Sequence, residues 1–151
     1  MAPIFFNSSS QVAQEPFVGA MRELARAYHA FSTYSDAHMR QFDLTPAQFD
    51  VLATLNNTVG MAMGDIGEKT LITKGTLTGV VDRLVQKQLV LRETPADNRR
   101  SVIVRLTPAG QSLFEKASAA HLAQLRQRVE RLDPADLDQL QTLLGRLRQV
   151  F

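Results

Sequence analysis

The sequence predicts a mainly α-helical protein with one small β-hairpin. Apolar residues recur at helical spacing through most of the 151 residues. Two short strand-like runs frame a turn-rich segment near residue 96. A third observation is a helix-start signal, a capping side chain followed by proline, which occurs three times. These signals are Thr45-Pro46, Thr107-Pro108 and Asp133-Pro134.

Composition excludes several kinds of chemistry. Apolar residues make up 44% and charged residues 21%, as in ordinary globular domains. The chain has no cysteine, so disulfides, thiolate zinc sites and thiol-based switches are excluded. No apolar run approaches the roughly 18 residues of a membrane span, and the first residues lack the basic start of a secretory signal. We therefore expect a cytoplasmic protein with no membrane partner.

The N-terminal third predicts an arm and two helices. Residues 1–14 are polar apart from the short apolar patch Ile4-Phe5-Phe6. A long amphipathic helix is expected from Pro16 to about Gln41 because its apolar residues keep helical spacing. The next helix begins after Thr45, which can form a capping box with Gln48, and it runs to about Asn56.

The middle of the chain predicts a short helix followed by a longer one with two different faces. The short helix runs from about Gly64 to Thr70, and Thr73 is the expected N-cap of the next. One face of the longer helix carries the apolar stripe Leu77, Val80, Val81 and Leu84. The opposite face is small and polar, with Gly75, Thr78, Gly79 and Asp82 flanked by Thr76 and Arg83. Each glycine costs about 1 kcal/mol in a helix, so either a partner approaches this backbone closely or the segment is a poor helix former.

A β-hairpin with a basic tip is expected next. Its strands are Leu89 to Glu93 and Ser101 to Leu106, and Arg99 and Arg100 lie at or just past the turn. From Lys69 to Arg105 there are eight basic and three acidic residues, which gives this segment +5 and leaves −3 for the remainder. This asymmetry favours a segment that faces a polyanion. The alternative is chance clustering on a solvated face.

The C-terminal third predicts two further helices, over residues 108–132 and 134–150. The last helix is too apolar on one face to stand free in water. Its apolar residues are Leu137, Leu140, Leu144 and Leu147, followed by Phe151.

The order of short helix, turn, helix and hairpin can place the second helix in the major groove of DNA. A basic hairpin beside it can reach neighbouring phosphates or the minor groove, whose negative potential attracts arginine. DNA as a partner would explain why two arginines, Arg99 and Arg100, lie at the exposed tip of the predicted hairpin. Asp97 could pair with one of them and hold it in place.

The residues of this segment resemble the winged helix-turn-helix core of the MarR family of bacterial regulators. The run Asp97-Asn98-Arg99-Arg100 resembles the D-x-R-R wing motif of that family, and LTPAG at 106–110 resembles its passage from wing to helix. The segment Val80 to Leu84 resembles the end of its recognition helix. The chain departs from the family at Gln88, where glycine is usual, and at Thr70, where an aliphatic residue is more common.

The resemblance implies a homodimeric, sequence-specific transcriptional regulator that binds an inverted-repeat operator on double-stranded DNA, more often as a repressor than as an activator. It implies an N-terminal arm and dimerisation helix in residues 1–42, a winged helix-turn-helix lobe in 45–106 and C-terminal dimerisation helices in 107–151. The implied DNA contacts on the recognition helix are Thr73, Lys74, Gly75, Thr76, Thr78, Gly79, Asp82 and Arg83. Those on the wing are Asp97, Asn98, Arg99 and Arg100.

The family resemblance also implies a site for a small aromatic effector between the dimerisation helices and the DNA-binding lobe. The residues that could line it are Tyr28, Tyr34, His38, Phe42 and Phe49. Packing in a hydrophobic core explains the same residues equally well. We expect no metal and no cofactor, since neither His29 nor His38 has a ligand partner at metal-site spacing along its helix.

Two other classes of function fit the sequence less well. An enzyme is not expected because the sequence has no glycine-rich phosphate loop, nucleophile elbow or paired-carboxylate motif. A winged-helix module that binds protein without specific DNA binding would need an apolar recognition face. The residues Thr76, Thr78 and Gly79 argue against such a face.

Overall fold

The computed structural model of the chain describes residues 15–70, 72–94 and 101–151. Within these residues it is mainly helical with a three-stranded antiparallel sheet, which confirms the predicted fold class. The elements, in chain order, are α1 (Pro16–Met39), α2 (Pro46–Leu55), β1 (Met61–Ala62), α3 (Met63–Lys69), α4 (Lys74–Gln86), β2 (Val90–Glu93), β3 (Ile103–Leu106), α5 (Pro108–Val129) and α6 (Pro134–Arg148). None of the helices in the described ranges is long and apolar enough to cross a bilayer.

The three proline-marked helix starts are confirmed. The Thr45 hydroxyl accepts the backbone N–H of Gln48 at 3.2 Å, and the Gln48 side chain accepts the N–H of Thr45 at 3.0 Å. This is the predicted capping box. Thr107 caps α5 by accepting the N–H of Gly110 at 2.9 Å, and the Asp133 carboxylate caps α6 in the same way.

The predicted N-cap position of α4 is confirmed. Thr73 occupies the N-cap position with extended backbone, but its side chain makes no cap hydrogen bond. Its hydroxyl instead donates to the hydroxyl of Thr76 at 3.0 Å. The two threonines therefore bond to each other at the exposed start of the helix.

The first helix ends slightly earlier than predicted. α1 stops at Met39, and a 3₁₀ turn, Arg40–Phe42, continues the chain. Asp43 then adopts a left-handed conformation with φ of 54°, which ends the helical path. The N–H of Leu44 closes this corner by donating to the carbonyl of Met39 at 3.1 Å.

The sheet has one strand that the sequence did not predict. Its order is β1-β3-β2, with Arg92 and Met61 both opposite Val104 on the two sides of the central strand. β1 has only two residues, so it carries no alternating pattern that could reveal it. Gly60 leads into β1 with φ of 131°, and a Cβ at this position would lie 2.9 Å from a methyl carbon of Ile103.

The main apolar core lies where α2, α3, α4 and the sheet meet. The predicted apolar stripe of α4 is confirmed, because all four of its side chains are buried. They join a cluster that includes Val51, Leu52, Leu55, Ile66, Val90 and Val104. This core fixes which face of α4 remains outside.

The two departures from the family pattern are accommodated locally. Gln88 follows α4 with φ of 58°, so a residue with a Cβ adopts the left-handed conformation that glycine adopts without strain. Thr70 is buried, and its hydroxyl accepts the backbone N–H of Ile72 at 3.4 Å. The threonine side chain therefore fills space in the core, and its hydroxyl provides a hydrogen-bond acceptor for a backbone N–H in the turn between α3 and α4.

A close backbone approach joins the hairpin to α5. The hydroxyl of Thr107 donates to the carbonyl of Gln88 at 2.8 Å, and its N–H donates to the carbonyl of Leu89 at 3.0 Å. A Cβ built on Gly110 would lie 1.9 Å from that same Leu89 oxygen. The joint therefore requires glycine at position 110, which gives a physical reason for the LTPAG sequence.

The last two helices end near their predicted limits but differ in packing. α5 buries Gly110 and Ala117, whereas none of the residues of α6, described throughout, is buried. Leucines on α6 are about half exposed, including Leu140, Leu143 and Leu144. The predicted inability of this helix to stand free is consistent with that exposure.

Candidate nucleic-acid interface

The polar face of α4 forms the centre of the candidate interface. The core holds the opposite face, so the predicted residues project outward together. Seven of them are exposed to solvent in the chain: Thr73, Lys74, Gly75, Thr76, Thr78, Gly79 and Arg83. No atom lies within 4 Å of a Cβ built on Gly75 or Gly79. The helix therefore presents bare backbone, short hydroxyls and two cations.

The wing tip falls outside the residues that the structure describes. The predicted wing contacts Asp97, Asn98, Arg99 and Arg100 all belong to residues 95–100, which are not described. The described base of the wing consists of β2 and β3. On this base Glu93 and Arg105 form an ion pair across the two strands.

Asp82 differs from its predicted neighbours because its carboxylate is already engaged. One guanidinium nitrogen of Arg92 on β2 donates to Asp82. A second nitrogen of Arg92 donates to the backbone carbonyl of Thr78 at 3.3 Å. The base of the wing is thus bound to α4 at two points one turn apart. Sequence reasoning did not find this contact, because a lone arginine in a short strand has no spacing that reveals its partner.

A second ion pair links α4 to the end of the first helix. The ammonium group of Lys87 lies 2.8 Å from a carboxylate oxygen of Asp43. It also donates to the backbone carbonyl of Asp43. The left-handed corner after α1 therefore contacts Lys87, the C-cap residue of α4.

The structure brings together four of the five predicted effector-site residues. His38 on α1 packs edge-on against Phe42 at a ring distance of 5.4 Å. It also faces His121 on α5, with the two Nδ1 atoms 3.1 Å apart. Phe49 on α2 contacts the ring of His121 at 6.2 Å. These rings lie at the junction of α1, α2 and α5.

Tyr34 joins the same junction and Tyr28 does not. The Tyr34 hydroxyl donates to the side chain of Gln124 on α5 at 3.1 Å. The guanidinium of Arg128 lies 5.2 Å from the Tyr34 ring, within cation–π range. Tyr28 is 65% exposed and makes no ring contact with the other described aromatic residues.

The paired histidines have unequal surroundings. Burial lowers the pKa of His121 below its ordinary value of 6.5, and the nearby His38 lowers it further. One Nδ1 must donate and the other accept for the two rings to hydrogen-bond, since two protons at this position would repel. No group of three or more His, Cys, Asp or Glu residues in the described ranges could hold a metal ion.

Comparisons with known proteins agree with this geometry. A sequence model of the MarR family matches residues 44–102. The HTH-type transcriptional regulator MhqR of Bacillus subtilis is 28% identical over 82% of this chain and 86% of its own length. The homoprotocatechuate degradative operon repressor of Escherichia coli is 27% identical over 80% of this chain and 82% of its own.

A solved structure shows the same resemblance in three dimensions. It is that of Bordetella bronchiseptica BpsR, described with the mechanism by which 6-hydroxynicotinic acid regulates its DNA binding. It superposes with a TM-score of 0.75 at 28% identity, covering 84% of this chain and 91% of BpsR. The similarity therefore extends over the terminal helices as well as the region that the family model matches.

Proposed function

The chain belongs to the MarR family of DNA-binding transcriptional regulators, and from that premise we propose that it represses transcription by binding an inverted-repeat operator as a homodimer. Regulators of this family are not enzymes and bind DNA as dimers. In this proposal each protomer reads one half of the operator. The protein acts on the chromosome in the bacterial cytoplasm.

The observation that carries the proposal is the outward face of α4. B-form DNA admits one helix into its major groove, and side chains at the start of that helix reach the base edges. Thr76 and Thr78 are short hydroxyl side chains that can donate to or accept from bases. Gly75 and Gly79 leave room for the DNA to approach the helix backbone. Lys74 and Arg83 supply cations for phosphates.

The wing completes the proposed contact with each half-site. Arg99 and Arg100 are proposed to enter the minor groove or bind its phosphates, and Asp97 and Asn98 to support the turn. Asp82 is proposed to act from the recognition helix through its ion pair with Arg92 rather than by facing a base directly.

Exposed apolar side chains on the terminal helices support the homodimer. Large apolar residues in water on three helices of one chain indicate a surface that a second chain covers. They lie on α1, α5 and α6 and include Phe17, Leu24, Phe31, Leu122, Val129, Leu140, Leu143 and Leu144. We assign residues 1–42 and 107–151 to this interface and residues 45–106 to the DNA-binding lobe.

We further propose that a small aromatic acid releases the protein from DNA by binding at the junction of α1, α2 and α5. Tyr34, His38, Phe42 and Phe49 offer aromatic surface and polar hydrogens there. The buried hydroxyl of Ser35, one turn before His38, has no hydrogen-bond partner in the described part of the chain. Such a group costs about 1–3 kcal/mol unless something bonds to it. Tyr28 is exposed and does not contact these rings, so it is proposed only as an outer residue of the site.

The effector acts only if it binds one arrangement of the lobes better than the other. The regulation of BpsR by an aromatic acid supports this choice of ligand class. Core packing by the same rings is the competing explanation. Titration with hydroxybenzoic and hydroxynicotinic acids would separate them, since packing alone predicts no change in operator affinity.

The first experiment is fluorescence-anisotropy binding to a duplex from the gene's own upstream region, with scrambled DNA as the control, at two salt concentrations. We expect two chains per specific site, and affinity that falls with salt because bound cations release counterions. Replacing Arg99 and Arg100 together by alanine should reduce the slope of log affinity against log salt by about 1–2. An unchanged slope would contradict the proposed role of the wing, and no binding to any duplex at low salt would favour a protein-binding module.

A further inference from the structure

We propose that Arg92 is a positioning residue that sets the spacing between the recognition helix and the wing, so that both reach adjacent grooves of DNA together. The proposal rests on the DNA-binding function above. In this proposal Arg92 and Asp82 do not contact DNA. They hold the recognition helix and the wing in a fixed relative orientation.

The contact has two anchor points on one helix face. Thr78 and Asp82 are four residues apart on α4, so they lie one above the other on the same side of the helix. One N–H group of the Arg92 guanidinium donates to the Asp82 carboxylate, and an N–H on a second nitrogen donates to the Thr78 carbonyl. A single contact would fix only a distance. Two contacts by one planar group also restrict the angle between strand and helix.

The contact lies beside an open crevice on the surface of the protein. A crevice of about 390 Å³ lies between α3, α4 and the base of the wing, and Thr78 and Arg92 both line it. Ser101 and Val102 also line it. Leu84 and Val90 belong to the apolar core that α4 shares with the sheet. Beside the crevice, Arg92 adds polar contacts from β2 to α4.

Because Arg92 lies in the sheet, its contact with α4 affects the position of both strands at the base of the wing. Arg92 pairs with Val104 on the central strand, so β2 and β3 move together. The chain passes from Glu93 toward residues 95–100, which contain the arginines proposed to bind DNA. A rotation of the strands against α4 would therefore be carried into that segment.

The ion pair between Arg92 and Asp82 adds little to folding stability. Removing it should therefore change DNA binding without unfolding the protein. The Arg92 and Asp82 side chains are 30% and 48% exposed. Water screens pairs of this kind, so they contribute little to the folded state. Without the pair the wing would be less ordered in the free protein. Binding would then have to order it, and the free-energy cost would lower the affinity for DNA.

The sign of the effect of Asp82→Asn tests the proposal. If Arg92 were a phosphate contact that Asp82 merely neutralises, Asp82→Asn would free a cation, remove an anion and tighten binding. The positioning role predicts the opposite, operator binding about five- to tenfold weaker with thermal stability unchanged. Arg92→Lys should weaken it similarly, since lysine keeps the charge but lacks the fork.

Glu93→Gln is the matched control. Glu93 also pairs with an arginine, Arg105, at the base of the wing, but this pair joins two strands and does not reach α4. The substitution removes one negative charge, as Asp82→Asn does, and should leave operator affinity unchanged or slightly higher. Tighter binding by both variants would overturn the positioning role.

A measurement without DNA keeps this proposal separate from the proposed function. The chain has no cysteine, so cysteines introduced at Gln86 and Thr94 can be spin-labelled selectively, and mixing with an excess of unlabelled chain gives dimers with one labelled protomer. We expect a narrow distance distribution by electron paramagnetic resonance in the parent and in Glu93→Gln, and a broad one in Asp82→Asn. Equal distributions in all three would overturn the positioning role, whatever the protein binds. Failure of the parent to bind DNA, with the broadening present, would overturn the function alone.

Discussion

The DNA-binding lobe and the terminal helices differ in what completes their packing. In the lobe, α2, α3, α4 and the sheet bury a common core in which Val51, Leu52, Ile66 and Val81 are inaccessible to water. In α6 no side chain is buried, although the helix carries a stripe of leucines. The first region satisfies its apolar residues within one chain. The second requires another surface, and we propose that a second copy of the chain supplies it.

This difference shows that one amphipathic pattern can have two structural meanings. The stripe of α4 faces its own core, so its polar face is free to meet DNA. The leucines of α6 remain in water in the single chain. A helical apolar stripe therefore predicts a helix and a buried face, but it does not predict which chain buries that face.

The largest effect is expected at the joint between these two regions. Gly110→Ala would place a methyl carbon 1.9 Å from the carbonyl oxygen of Leu89, and the three nearest atoms all belong to the Leu89 backbone. The joint cannot relax without breaking the bonds of Thr107 to the hairpin. We expect a loss of about 3 kcal/mol or more in the free energy of unfolding, measured with urea.

Gly145→Ala on α6 is the matched control for that substitution. Nothing lies within 4 Å of a Cβ built there in the single chain. Alanine should be tolerated, and higher helix propensity can add up to about 1 kcal/mol. Equal stability of the Gly110 variant and the wild type would show that the close approach at the joint is not required.

Gly79→Ala should have a smaller effect, raising the stability of the fold and lowering the affinity for the operator. Alanine in this exposed position should stabilise α4 by up to about 1 kcal/mol, because no neighbour obstructs its Cβ. The added methyl group should nevertheless weaken operator binding if DNA approaches the helix backbone. Thermal unfolding and anisotropy on the same samples would test both signs. Unchanged affinity would mean that the glycines of α4 serve no close contact.

The smallest expected effect is a pH dependence at the junction of the two regions. Because the folded state lowers the pKa of His121 below 6.5, the unfolded chain binds more protons in mildly acidic solution. This contribution to stability is fully present above pH 6.5 and is lost as the pH falls from 6.5 through the lowered pKa of the folded state. His121→Phe should flatten this part of the profile, measured by urea unfolding between pH 5 and 7.5.

His29→Gln provides the comparison for the pH experiment. His29 lies on α1 like His38, but it is exposed to solvent. We expect the profile of this variant to follow that of the wild type. An identical slope in the wild type and the His121 variant would contradict the role given to the histidine pair.

Local chemistry explains which parts of the fold were predictable. The capping box at Thr45 and Gln48 and the stripe of α4 depend on neighbours in sequence, so the printed residues reveal them. β1 has only two residues, too few to show a period, and its partner strand lies some forty positions away. The Arg92 contact joins a strand to a helix 10 and 14 positions earlier, a separation that no helical or strand period reveals. The pairing of His38 with His121 has the same origin, since 83 positions separate them. The polar face of α4 was predictable as a surface, whereas the engagement of Asp82 was not.

Sedimentation velocity of the wild type, Leu140→Glu and Leu91→Glu tests the two-region comparison most directly. Leu140 on α6 and Leu91 on β2 are similarly exposed in one chain, at 49% and 43%. A symmetric dimer would bury two copies of a glutamate introduced at position 140, which strongly opposes association. We predict a dimer for the wild type and for Leu91→Glu, and a folded monomer of 16.8 kDa for Leu140→Glu. A Leu140→Glu variant that stays dimeric, or a wild type that sediments as a monomer, would contradict the assignment of the terminal helices to a second chain.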